Sequence, residues 1–176
     1  NNFLYYNFFN NFNYFKLWII GVFINILRWS EIIITGILIF NYTNSPFQVT
    51  LLLILRFLSL MSFSIFAGVI TDKYNKKYCL SLSLIFMAII SLAFYKLIPL
   101  DNKTYILQIY SVLSGLFWAL ETTARKALII ESINKEHYAK NISLDTFTLH
   151  MTRFAGPLVS GYFHDYFTLP YLLLFA

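Results

Sequence analysis

The chain has 176 residues, 59% of them hydrophobic and 12% charged, with a mean hydropathy of +0.65. Soluble domains carry about a quarter charged residues, so this chain lacks the material of a water-facing surface. That excludes an ordinary cytosolic domain and a disordered chain. It also excludes a nucleic-acid-binding module, because the net charge of +5 comes from 13 basic residues spread through an apolar chain, with no basic face.

The N-terminal stretch Asn1 to Phe15 alternates Asn with Phe and Tyr. It lacks the basic start and small-residue cleavage site of a signal peptide. Two readings of it stand side by side: an aromatic segment lying in the membrane interface, or a genome biased toward Asn, Phe, Tyr and Ile codons.

A membrane-spanning helix needs about 20 mostly apolar residues. Five segments qualify, at about 17–40, 47–70, 78–98, 105–130 and 142–163, the last being the most polar. A run from Leu169 reads as the start of a sixth. The links are short and carry breakers or charge: Asn41 to Pro46, the basic Thr71 to Lys77, Pro99 to Thr104, and the longer polar Glu131 to Asn141. No linker resembles a boundary between soluble domains, so residues 1–176 read as one transmembrane domain. The first residue is Asn and the last seven are apolar, which suggests a fragment of a larger protein.

Alternate links must lie on opposite sides of the bilayer. One side collects Lys16, Lys73, Lys76, Lys77, Lys126, Lys135 and Lys140; the other has Lys96 and Lys103. The positive-inside rule then puts the N-terminus and the Asp72 link in the cytoplasm. The sequons at Asn41, Asn102 and Asn141 fall on both sides and carry little information.

Ionisable groups in a bilayer core cost about 2.5–3.5 kcal/mol each on insertion scales. In the first span Arg28 and Glu31 share a helix face, being three apart, with Asn25 and Thr35 on the same arc. Arg28 lies about 16 Å into the span, near the midplane. That face points at other helices or at a water-filled cavity. Glu121 and Arg125 repeat the pattern four apart in the fourth span. The fifth adds Asp145, His150 and Arg153, and the second adds Arg56. A plain alternative for each is an ion pair that glues the bundle, and for Glu121 with Arg125 it has as much weight as a functional role. The midplane stripe of Asn25, Arg28 and Glu31 favours function, because transporters place substrate and ion sites there. Glu121, Arg125 and Arg153 are second candidates.

Enzyme motifs are absent: no Gly-x-Ser-x-Gly, no His-Glu-x-x-His and no phosphate-cradling glycine loop. His150 reads as a packing residue, and His137 and His164 as loop residues. One cysteine, Cys79, and three scattered histidines make no metal site or disulfide framework, and no cofactor is expected.

The link Gly68-Val69-Ile70-Thr71-Asp72-Lys73-Tyr74-Asn75-Lys76-Lys77 resembles the loop between helices 2 and 3 of the major facilitator superfamily. Gly68, Asp72, Lys73, Lys76 and Lys77 fit its Gly-x-x-x-Asp-Arg/Lys-x-Gly-x-Arg/Lys-Arg/Lys signature. Asn75 replaces the usual Gly, a mild change because Asn tolerates a left-handed turn. Gly68 is expected to allow close helix approach, and Asp72 to cap a neighbouring helix N-terminus. Arg153 to Gly161 resembles the helix 5 motif of the exporters in this family, with Gly156, Pro157 and a lone Gly161 where Gly-Gly is usual. Ala124-Arg125, Lys140-Asn141 and Phe15-Lys16-Leu17-Trp18 are similar to the multidrug, macrolide and siderophore exporter branch.

The resemblance implies an all-α membrane protein: an N-terminal bundle of five transmembrane helices and the start of a sixth, in the bacterial inner membrane. A second six-helix half would follow. It implies alternating access for a small molecule, coupled to protons, with Arg28 and Glu31 lining the cavity, the Asp72 link gating the cytoplasmic face, and Gly156-Pro157 kinking helix 5. Proton-coupled efflux leads. Uptake by symport and a non-transporting scaffold or receptor are the alternatives.

Overall fold

A computed structural model describes residues 12–97, 103–133 and 138–164. Five helices account for nearly all of them: α1 (Phe12–Thr43), α2 (Pro46–Lys73), α3 (Lys76–Leu97), α4 (Lys103–Glu131) and α5 (Tyr138–His164). The run from Leu169, the Asn102 sequon, Lys135 and His137 lie outside the described residues.

Local chemistry sets the two tight reversals. Asn44 ends α1 in the left-handed region, φ 50°, with its N–H donating to the Phe40 carbonyl at 2.8 Å. Two residues later Pro46 opens α2, where its fixed φ suits the helix and its missing donor does no harm. At the second reversal Tyr74 is extended, and the Asn75 side chain accepts the Lys77 N–H at 3.0 Å. Asn75 is therefore the N-cap of α3. It does not stand in for a left-handed glycine, since among the described non-glycine residues only Asn44 has positive φ.

Three contacts fix the alternating direction of the helices. Lys76 of α3 meets Glu131 of α4, and the Tyr14 hydroxyl of α1 donates to the Asn141 carbonyl of α5 at 3.0 Å. These mark one end of the bundle, here called the loop end after the Asp72 link. At the opposite end the Lys103 ammonium lies 4.6 Å from the Tyr42 ring centre.

Helix α4 is central. It packs along α2 and α3 and crosses α1, while α1 lies along α5. Gly115 permits the first of these contacts, because a β-carbon there would run into the Arg56 carbonyl and the Ser59 hydroxyl. Gly156 does the same for α5, whose backbone rests on Trp29 and Ser30 of α1. Ser30 donates to the Gly156 carbonyl at 2.9 Å. By contrast α2 and α3 barely touch after their turn. Gly68 consequently has open space where its β-carbon would be, and so does Gly161. The expected close approach at Gly68 is absent among the described residues.

By length and composition α1, α2 and α3 can each cross a membrane. Helices α4 and α5 are long enough, at 29 and 27 residues, but more polar. Their polar groups face inward: α4 buries Ser111, Ser114, Glu121 and Arg125, and α5 buries Asp145, Thr152 and Ser160. The outer surface carries Ile65, Phe66, Val69, Leu82, Ile85 and Ile89, all exposed. This is polar-inside, apolar-outside packing, as hydrocarbon solvent demands.

Candidate functional site: a buried charge network

The buried charged side chains among the described residues are Arg28, Glu31, Arg56, Glu121, Arg125 and Asp145. Three cations thus face three carboxylates. Arg28 and Glu31 share a face of α1, yet each pairs with a different helix. Arg56 Nη2 of α2 donates to Glu31 Oε1 at 2.7 Å, and Ser114 Oγ of α4 donates to the same oxygen at 3.0 Å. Arg28 Nη2 reaches Glu121 Oε2 of α4 at 3.3 Å. The pairing runs between helices because each partner helix brings an opposite charge to the same depth.

The chain of pairs continues toward the loop end. Arg125 Nε lies 3.3 Å from Glu121 Oε1, one turn away, and Arg125 Nη1 donates to Asp145 Oδ1 of α5 at 2.9 Å. The guanidinium occupies the space over Gly21 of α1. Glu121 therefore sits between two arginines and is fully buried. Four of the five helices are tied together by this one network.

An aromatic stack flanks it. The Arg28 guanidinium lies 4.9 Å from the Trp118 ring centre, Trp118 meets Trp29 edge-on at 6.3 Å, and the Arg153 guanidinium lies 5.1 Å from Trp29. Cation–π contacts of this kind strengthen where water is excluded. Arg153 is exposed and joins the network only through this stack. Asn25 turns back on its own helix, donating to the Gly21 carbonyl at 2.6 Å.

The Asp72 link is looser. Asp72 lies in the last turn of α2, exposed, and caps no helix among the described residues. Lys73 lies 5.7 Å from the Tyr74 ring centre, Lys77 is exposed, and Lys76 pairs with Glu131. In α5, Pro157 lies inside a helix that continues from Tyr138 to His164. Having no N–H, it leaves the Arg153 carbonyl without its helical donor.

Sequence reasoning passed over two members of the network. Arg56 was visible as a lone cation in a very apolar segment, and Asp145 as a carboxylate in the fifth. Neither has a sequence neighbour of opposite charge to form a visible pair. Their partners are 25 and 20 residues away.

Residues 17–176 match the profile of the Major Facilitator Superfamily. The chain belongs to the major facilitator superfamily. It is an integral membrane protein. Among curated proteins it is 28% identical over 110 residues to the Staphyloferrin A transporter of Staphylococcus aureus (strain NCTC 8325 / PS 47). That alignment covers 60% of this chain and 27% of the relative's length. No solved structure matches it.

Proposed function

We propose that this chain is the N-terminal bundle of a transporter that moves a small molecule by alternating access, coupled to protons in the efflux direction. All five helices are spans in this reading, with a sixth beginning near Leu169. A second six-helix half completes the cavity. The N-terminus and the Asp72 link face the cytoplasm of a bacterial cell, because the basic residues gather at that end. Asp72, Lys73, Lys76 and Lys77 act there as a gate.

The observation that carries the reading is the buried, charge-balanced network centred on Glu31 and Glu121. Removing one partner from a buried pair costs about 3–5 kcal/mol. A proton or substrate that displaces one partner therefore has enough leverage to shift a balance between two bundle arrangements. The relative's printed name, a transporter, supports the same function, and the Gly156-Pro157 match supports the efflux direction.

The test uses everted vesicles carrying the full-length protein. Proton-driven uptake is expected, and Glu31→Gln should weaken it at least tenfold. Unchanged transport in that variant removes Glu31 from coupling.

One observation favours symport in the uptake direction as a second reading. Arg56 and Glu31 neutralise each other. An anionic substrate that engages Arg56 leaves Glu31 without its countercharge, and an unmatched buried charge is costly. A proton carried in with the substrate would restore the charge balance, so the two would travel together. Accumulation in intact cells, against extrusion from them, separates the two by sign.

A further inference from the structure

A cleft of about 510 Å³ opens between the second half of α1 and the first half of α2. Its walls are apolar, including Ile33, Phe40, Val49 and Leu53, and Arg56 and Ser111 also line it. From Pro46 at the start of α2 to Arg56 is about 15 Å at 1.5 Å per residue. The cleft is thus a greasy slot that reaches toward mid-membrane and has one cation at its depth.

The polar side chains lining it differ in what they still offer. Thr35 donates to the Glu31 carbonyl, Thr50 to the Pro46 carbonyl and Ser111 to the Leu52 carbonyl. Each hydroxyl hydrogen is used within the protein. Arg56, 1% exposed, gives Nη2 to Glu31, but its Nη1 has no hydrogen-bond partner among the described residues. A buried guanidinium N–H without an acceptor is costly. The slot therefore asks for an acceptor, and most strongly for an oxyanion, which forms the stronger charge-assisted bond.

We propose that this cleft binds an amphiphilic carboxylate, with its anionic head on Arg56 Nη1 and its apolar body along the α1/α2 walls. The inference deepens the transport reading by naming a ligand class, and in that respect rests on it. The binding itself is independent of direction and coupling.

The experiment is equilibrium binding of labelled octanoate and of octanol to the full-length protein in lipid nanodiscs, corrected for empty discs. Octanoate should bind at least tenfold more tightly than octanol. Gly36 lines the cleft, and a β-carbon there would meet Val49 Cγ1 at an ordinary 3.6 Å. Gly36→Leu should therefore fold and block the slot, weakening octanoate at least tenfold at an unchanged Tm. The double variant Glu31→Gln with Arg56→Gln, which keeps the charge balance, should erase the preference for the acid. Equal affinity for acid and alcohol in the wild type overturns the proposal, as does octanoate binding untouched by Gly36→Leu. Unchanged transport in Glu31→Gln counts against the transport reading alone, so the two can fail separately.

Discussion

The guanidinium of Arg125 lies over Gly21, so close that a β-carbon on Gly21 would fall 2.6 Å from Nη1. This glycine leaves room for a charge, whereas Gly115 and Gly156 leave room for a neighbouring helix. Gly21→Ala must push Arg125 off Asp145 or Glu121. We expect a loss of about 2–4 kcal/mol, within the range for disturbed buried polar networks, read as a lowered Tm of the purified full-length protein. Gly161→Ala, inside α5 with nothing within 4 Å, should hold Tm or raise it slightly.

Gly156 tests the seam between α1 and α5. A β-carbon there would lie 3.1 Å from the Ser30 backbone nitrogen and would also meet Trp29. Backbone cannot swing aside as a long side chain can. Gly156→Ala is expected to destabilise more than Gly21→Ala and to loosen the bond from Ser30. Cross-linking between cysteines introduced at Trp18 and Thr148, whose side chains are hydrogen-bonded at 3.1 Å, should fall in that variant.

The Arg56 and Glu31 pair should show strong coupling in a double-mutant cycle. Either single substitution to Gln leaves one buried charge unmatched, at about 3–5 kcal/mol. The double substitution should cost less than the sum. Additive losses would mean that the two charges do not meet in the folded protein.

Asn75 gives a gentler test. Asn75→Ala should cost about 1 kcal/mol as an N-cap is lost, and Asn75→Gly only a few tenths. Restoring the glycine usual in the family should therefore be nearly silent in Tm. At the same end, Lys76→Ala should cost no more than about 1 kcal/mol, because its partner Glu131 is exposed and salt-screened.

Most of the fold was legible because hydrocarbon imposes its own pattern. Long apolar runs separated by Asn44, Pro46 and the basic link can do little else but form helices that cross. Packing was less legible. Gly68 belongs to a recognisable signature yet meets nothing, while Gly21 and Gly115, in no signature, are where packing is tight. A sequence shows a missing side chain but not which neighbour needs the room. The charges divided in the same way. Glu121 and Arg125 advertise their contact by spacing of one turn. Glu31 and Arg56 meet only once two helices are placed, and spacing along the chain carries no trace of that.

The pairing has a consequence for how the protein is made. Glu31 finds Arg56 only 25 residues later, but Arg28 waits 93 residues for Glu121. At about 5–20 residues per second, that is a delay on the order of ten seconds for a charge already committed to the membrane. During it, the three-residue spacing of Arg28 and Glu31 lets each shield the other. The neighbours that part company in the finished bundle are then each other's escorts during insertion.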